Sequence, residues 1–518
     1  MKKVLVAGAA LMLAGGIAST ASFAAVEPGV KITGDARVRF YYADDGFRTY
    51  GNNAALKSQT NLDSRVRLTF TGTAAGGSYA VVRMRIAESN AGDLDGDYSN
   101  GSTFRNSNIA ADMAYIGIPF SDSITLELGR YRSTYGPLPG GYNWFYDDVN
   151  LTGARGIIKV GDKVVINPFV EWMNEGQNPD GGATVNGYGP INVTASGVAN
   201  LTTGAVTVTG TGTQSHPSSG TTADATQDND TIRFGVHAKA QLVKEKDNNW
   251  LIGGMLGYQV DNRNEILATA TNRGFKRNDG MFGSFYVNGK SGNFGLVGEI
   301  SVTAADLNNF NSWESDLVTT DRIGSGDVGF GGFILPNFQI DKLNLALLLG
   351  FTTGGFQPDG AFGDGVLLGT IDNSVISQIR IGDYGDWLFG GLVVSYQFAE
   401  NLKLTGNLLY ADISAWDSVG PNGDGPETGF RNIGARGYVA NGVYRSTNTA
   451  LTPGAVYKDL FELNNAWTIS ALMQYTISKG MDVYLSAGYL KPSIDDVYKL
   501  GIKDDGVFAA ASRFELKF

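Results

Sequence analysis

Apolar and polar side chains take turns along most of this chain in segments of roughly ten residues, the signature of extended strands with two unlike faces. Val30, Ile32, Gly34, Ala36, Val38 and Phe40 interleave with Lys31, Thr33, Asp35, Arg37, Arg39 and Tyr41. Leu62, Ser64, Val66, Leu68 and Phe70 interleave with Asp63, Arg65, Arg67, Thr69 and Thr71. Late in the chain, Trp467, Ile469, Ala471, Met473, Tyr475 and Ile477 interleave with Thr468, Ser470, Gln474 and Thr476. Such runs predict about eighteen strands, at 30–42, 61–73, 78–88, 108–118, 123–132, 151–160, 163–174, 230–243, 249–261, 279–288, 293–303, 326–336, 341–352, 384–398, 402–412, 464–477, 481–490 and 506–518.

The connections alternate in length. Gly76-Gly77, Ser121-Asp122, Gly161-Asp162, Asn288-Gly289-Lys290, Glu400-Asn401 and Lys479-Gly480 read as tight hairpin turns, with long polar stretches between them. Hydrocarbon offers backbone N–H and C=O groups no partner, so strands of this length cross a bilayer only as a closed barrel. The expected fold is all-β: a transmembrane antiparallel up-and-down β-barrel with short periplasmic turns and long extracellular loops. Trp172, Trp250, Trp387, Tyr396, Phe398, Trp467, Tyr475 and Tyr489 sit near strand ends, where interfacial aromatic girdles belong. A soluble sandwich or propeller would have shorter strands and no such sorting of its loops.

Composition narrows the class further. Lys2 and Lys3 precede an apolar stretch from Val4 to Ile17, and Ser22-Phe23-Ala24 has the small residues of a cleavage site, so 1–24 is expected to be a removed signal peptide and 25–518 the barrel. Elsewhere the most apolar stretch, Leu343 to Phe351, falls well short of the ~18 residues a membrane helix needs. Glycine is abundant, at 71 of 518 residues, and there is no cysteine, so an exported chain of this kind cannot be a disulfide scaffold. The net charge of −11 argues against a nucleic-acid partner, whose phosphates need a basic footprint.

The segment from about Ile109 to Val160 resembles the matching region of Gram-negative outer-membrane porins of the general-diffusion type. Ala114-Tyr115-Ile116-Gly117-Ile118 is similar to that family's Ala-Tyr-Val-Gly-Leu strand, and Thr125-Leu126-Glu127-Leu128-Gly129-Arg130 resembles its strand ending in Gly-Arg before the constriction loop. The alternating final strand, with Phe514, Leu516 and Phe518, resembles the signal read by the barrel-assembly machinery. The resemblance implies a bacterial outer-membrane porin, embedded in lipid and lipopolysaccharide, trimeric, and passing small hydrophilic solutes and ions by passive diffusion. Members of that family usually have sixteen strands. The higher count here is typical of substrate-specific channels such as the maltoporins, so a sugar- or anion-specific channel stays open, as does a plugged structural or adhesive barrel.

One polar constellation stands out. Arg37 and Arg39, Arg65 and Arg67, and Arg83 and Arg85 come from three consecutive strands and share the polar face, with Asp35 and Asp63 among them. They read as a basic pore wall or as structural bracing through salt bridges. The resemblance implies that 133–150 folds inward as a constriction loop, where Asp147 and Asp148 would face that wall. Tyr135, Tyr142, Trp144, Phe145 and Tyr146 in this loop either pack it against the barrel or form a stacking surface for sugars. Arg130 and Arg132 share parity with Leu128 and face the lumen only if Gly129 makes a bulge.

Other signals are weaker. Asp93, Asp95 and Asp97 form an acidic cluster that would suit calcium, but no Glu follows at the spacing of a helical calcium loop. Gly324-Ser325-Gly326-Asp327-Val328-Gly329 matches a dinucleotide fingerprint by letter, without the strand before it and helix after it that the chemistry requires. Residues 176–229 lack Lys and Arg and read as a long extracellular loop with a small hairpin around Ala205–Thr209. The two histidines, His216 and His237, have no nucleophile or orienting partner at a useful spacing, so no catalysis and no cofactor are expected.

Overall fold

A computed structural model of the chain describes residues 27–43, 59–90, 110–137, 141, 143–146, 150–174, 196–200, 205–209, 231–261, 279–304, 328–353, 356, 381, 385–415, 417–419, 426–428, 437–440, 443–446, 462–495 and 506–518. The strands are β1 (Gly29–Ala43), β2 (Gln59–Thr73), β3 (Tyr79–Asn90), β4 (Ala110–Ser121), β5 (Ile124–Arg132), β6 (Asn150–Val160), β7 (Val164–Asn174), β8 (Ser196–Asn200), β9 (Ala205–Thr209), β10 (Thr231–Lys244), β11 (Asn248–Asp261), β12 (Gly280–Ser291), β13 (Phe294–Thr303), β14 (Gly329–Ile340), β15 (Leu343–Thr353), β16 (Gly385–Ala399), β17 (Leu402–Ala415), β18 (Asp417–Val419), β19 (Pro426–Thr428), β20 (Gly437–Ala440), β21 (Val443–Ser446), β22 (Glu462–Ser478), β23 (Met481–Asp495) and β24 (Val507–Lys517). Three short pairs, β8 with β9, β18 with β19 and β20 with β21, are hairpins within the long connections. The expected hairpin strand at Ala205–Thr209 is β9.

The other eighteen strands form one antiparallel sheet, each bonded to its neighbours in chain order. β24 pairs back onto β1, so the sheet is closed. At this seam the Gly34 N–H donates to the Phe518 carbonyl at 2.8 Å, and the Phe518 N–H donates back to the Gly34 carbonyl at 3.0 Å. Closure removes the two unpaired edges that an open sheet would expose, which is the condition for strands to stand in hydrocarbon.

Burial is inverted relative to a soluble protein. In β13, Ile300 is 51% exposed, while Glu299 and Ser301 on either side are 4% and 1% exposed. Phe40, Leu62, Ile116, Phe285, Phe338, Leu392, Leu408, Ile469 and Leu485 likewise project from the outer face, whereas Arg39, Arg83, Glu127, Arg155, Glu171 and Arg233 are buried inside. A continuous exposed apolar wall of this extent is unstable in water and suited to lipid.

Two local readings are corrected. Asn288-Gly289-Lys290 is not a turn: these residues continue β12 opposite Val297, Leu296 and Gly295 of β13. The chain reverses at Gly292, which adopts a left-handed φ of 58° that glycine takes without a Cβ penalty. Trp387 is not a girdle residue. It lies buried on the inner face of β16, with Leu388 on the outer face beside it, because strand parity rather than nearness to a strand end decides which side a ring takes.

Candidate functional site

The arginines of β1, β2 and β3 meet through the register of the sheet. Asp35 stands opposite Arg67, and Arg67 opposite Arg85; Arg37 stands opposite Arg65, and Arg39 opposite Asp63. The Arg67 Nε donates to Asp35 at 2.9 Å, and the Arg65 Nη2 donates to the same carboxylate at 3.4 Å. β24 extends the patch: Arg513 is the backbone partner of Arg39, and Glu515 that of Arg37. The Arg513 guanidinium lies over the Tyr484 ring, 4.1 Å from its centre, and forms an ion pair with Glu515 at 3.7 Å. The carboxylates of Asp35 and Glu515 offset part of the repulsion among these like charges.

β3 is braced from β4. The Arg83 Nε donates to Asp112 at 2.8 Å, and Arg85 approaches the other oxygen of that carboxylate at 3.9 Å. Simple alternation puts Asp112 on the outer face with Ala114 and Ile116. The register between β3 and β4 shifts at Arg83/Met84, and the resulting irregularity turns Asp112 inward. No such shift occurs at Gly129. Leu128, Gly129 and Arg130 pair in unbroken register with both β4 and β6, so Arg130 stays on the outer parity, where it is exposed. Gly129 takes a φ of 124° and lies against the Ala114 carbonyl, a place that suits a residue without Cβ.

The connection after β5 crosses the inner face of the barrel. Tyr135 stacks on Phe169 of β7, with ring centres 5.2 Å apart, and packs against His237 of β10 at 5.1 Å. Further along, Trp144 is stacked between Phe333 of β14 and Phe356, and Phe145 meets Phe282 of β12. The Trp144 backbone N–H donates to Glu299 of β13 at 3.1 Å. Gly331 of β14 leaves the room that the Trp144 and Phe356 rings occupy. Tyr135, Trp144, Phe145 and Tyr146 are fully buried, so these four rings serve packing and present no open face to a solute. Tyr142, Asp147 and Asp148 lie outside the described residues, as do Asp93, Asp95 and Asp97.

Carboxylates hold this connection in place. Glu171 of β7 accepts from the hydroxyls of Tyr131 at 3.2 Å, Tyr135 at 2.9 Å and Tyr146 at 2.9 Å. Burial, then the neighbouring Glu171 charge, pushes the phenol pKa of Tyr135 and of Tyr146 well above its ordinary value, so both remain donors. Arg155 of β6 pairs with Glu127, which also accepts from the Tyr79 hydroxyl at 2.6 Å. The Arg155 guanidinium lies 4.4 Å over the Tyr131 ring, and Arg233 of β10 lies 5.3 Å from the centre of Tyr146. His237 is a satisfied wall residue, bonded to Asn167 at 3.2 Å and to the Tyr286 hydroxyl at 2.9 Å.

Asp112, Glu127, Arg155, Glu171, Arg233, Glu299 and Arg513 were not singled out from sequence. For six of them the signal was present: an ionisable residue at an inward position of an alternating strand. Asp112 had none, since its parity is set by the local shift. Phe514 and Leu516 stand on the outer face of β24, and Phe518, the residue after it, is exposed as well.

No family model matches the chain, and no curated protein matches it at a significant level. Among solved structures, Pseudomonas aeruginosa OccK2 (OpdF) is similar at 9% identity over 94% of this chain and 97% of that one, with a TM-score of 0.46. Pseudomonas aeruginosa OpdQ is similar at 10% identity over 94% and 98% of the two chains, with a TM-score of 0.44. The outer membrane channel DcaP of Acinetobacter baumannii is similar at 10% identity over 96% and 100%, with a TM-score of 0.40.

Proposed function

We propose that the chain is a Gram-negative outer-membrane porin, a water-filled channel for passive diffusion of small hydrophilic solutes and ions. The observation that carries this reading is the sidedness of a closed sheet: exposed Ile300 outside, with buried Glu299 and Ser301 on either side of it within. Hydrocarbon outside and water inside account for both faces at once. In this reading the connection after β5 narrows the lumen from the β7–β14 side, and the arginines of β24, β1, β2 and β3 line the remaining aperture. Fixed cations on one side of a narrow aqueous path orient polar solutes and penalise apolar ones. Export through 1–24, insertion by the barrel-assembly machinery, contact with lipopolysaccharide and a homotrimeric state belong to the same proposal.

A sugar- or anion-specific channel is the second reading, favoured by the concentration of Arg37, Arg39, Arg65, Arg67, Arg83, Arg85 and Arg513 on four adjacent strands. Liposome swelling tests the channel: the protein reconstituted into vesicles admits small sugars, whereas a plugged barrel leaves them excluded. Competition then separates the two channel types, because a general pore shows little block by any single sugar or organic anion.

A further inference from the structure

We propose that Glu171 is the positioning residue of the pore: its single carboxylate seats both limbs of the connection after β5, and thereby sets the width of the aperture. What this seating does for transport rests on the channel reading; the seating itself does not. Tyr131 and Tyr135 donate to one oxygen of Glu171 and Tyr146 to the other, so the carboxylate joins the outgoing and the returning limb at one point on β7. The two guanidiniums nearest these rings face them from outside the cluster: Arg155 lies over Tyr131 and Tyr135, and Arg233 lies against Tyr146. Arg233 is also the backbone partner of Glu171 across the β7–β10 ladder. Carboxylate, phenols and guanidiniums therefore form one continuous buried unit, in which the hydroxyl hydrogen bonds join both limbs to the barrel and Arg155 also donates to Thr134 Oγ1 at the root of the outgoing limb, at 3.2 Å. Elsewhere barrel and loop meet at single points: the Trp144 N–H donates to Glu299, and the Asn288 side chain of β12 donates to the Pro137 carbonyl.

Because the chain has no cysteine, a single introduced thiol reports on this seating without background. Ser133 is fully buried at the root of the outgoing limb, and Ser133→Cys changes little in volume. Purified, folded protein in detergent is treated with a charged thiol reagent, and the labelling rate is compared across backgrounds. In the parent background the thiol reacts slowly. Tyr135→Phe combined with Tyr146→Phe, which removes two hydroxyls and keeps both rings, raises the rate by about ten-fold or more, as expected for lost charge-assisted hydrogen bonds. Glu171→Leu raises it further, and Glu171→Gln, which retains one acceptor oxygen, falls between parent and Leu. Asn407→Leu, which removes a hydrogen bond to Ser470 on β17 and β22, leaves the rate unchanged. Heat-modifiable gel migration verifies that each barrel is closed; should Glu171→Leu fail to fold, the double Phe variant decides. An unchanged labelling rate in a folded double Phe variant overturns the proposal. Single-channel recording of the same variants adds the aperture: conductance rises and its distribution broadens. An increased labelling rate with unchanged conductance would leave the latch standing but overturn its control of width. A parent protein that does not conduct at all refutes the channel reading and leaves the labelling result to decide the seating.

Discussion

Asp112 reaches Arg83 because the β3–β4 register shifts where the two residues meet, and the carboxylate then accepts from the guanidinium Nε at 2.8 Å. Both groups are buried on the lumen side. Asp112→Asn removes the charge that balances Arg83 and, more distantly, Arg85. The expected outcome is a loss of about 1–3 kcal/mol of barrel stability and a reversal potential displaced toward anion preference. Unfolding curves in detergent and a salt-gradient bilayer measurement check the two parts separately.

The opposite change is made at the wall itself. Replacing Arg65, Arg67, Arg83 and Arg85 together with Gln is expected to move the reversal potential toward cation preference, and lower salt will enlarge the effect because the Debye length grows. An unchanged potential would reduce these arginines to bracing.

Period-2 alternation made nearly the whole barrel legible, because each strand of the closed sheet has an apolar outer face and a more polar inner one. That the arginines of three adjacent strands share one face was legible in the same way; the register that sets Arg37 beside Arg65 and Arg67 beside Arg85 was not, because the sequence does not say where each hairpin turns. What stayed hidden depends on departures from that rule or on contacts across the lumen. Asp112 reads as lipid-facing until the local shift is known. Glu171 and its three phenols come from β7, β5 and the connection after β5, and no spacing along the chain joins them. Phe356 sits in a stretch that reads as polar loop, yet it packs on Trp144 inside the barrel.

Gly331 makes a further point of control. A Cβ there meets the Trp144 and Phe356 rings, so Gly331→Val is expected to displace the loop tip and to cost about 1–3 kcal/mol through overpacking. Conductance and thermal unfolding are the readouts; a variant unchanged in both would mean that the tip repacks freely.

The pH dependence follows from Tyr135 and Tyr146. Their phenol pKa values are raised in the folded protein, so the folded state holds these protons more tightly than the unfolded chain does. The stability this contributes is fully present below the unfolded phenol value of about 10 and is lost as pH rises beyond it. Labelling of Ser133→Cys, corrected for the reagent's own thiolate fraction, is therefore expected to stay flat through neutral pH and to climb only in strong alkali.

Adjacent residues of one strand test the two faces. Leu392 lies exposed on the outer face of β16, and Val393 has the opposite parity. Leu392→Arg is expected to destabilise the barrel in lipid by about 2–4 kcal/mol, and Val393→Arg by clearly less, since a lumen charge keeps its water. Refolding equilibria in lipid vesicles give both numbers.

The most direct measurement is the current through a planar lipid bilayer on adding the purified, heat-modifiable protein. Stepwise, stable conductance increments that scale with bulk salt are the predicted result, because water fills the barrel. A folded protein that enters the bilayer and yields no steps would contradict the account.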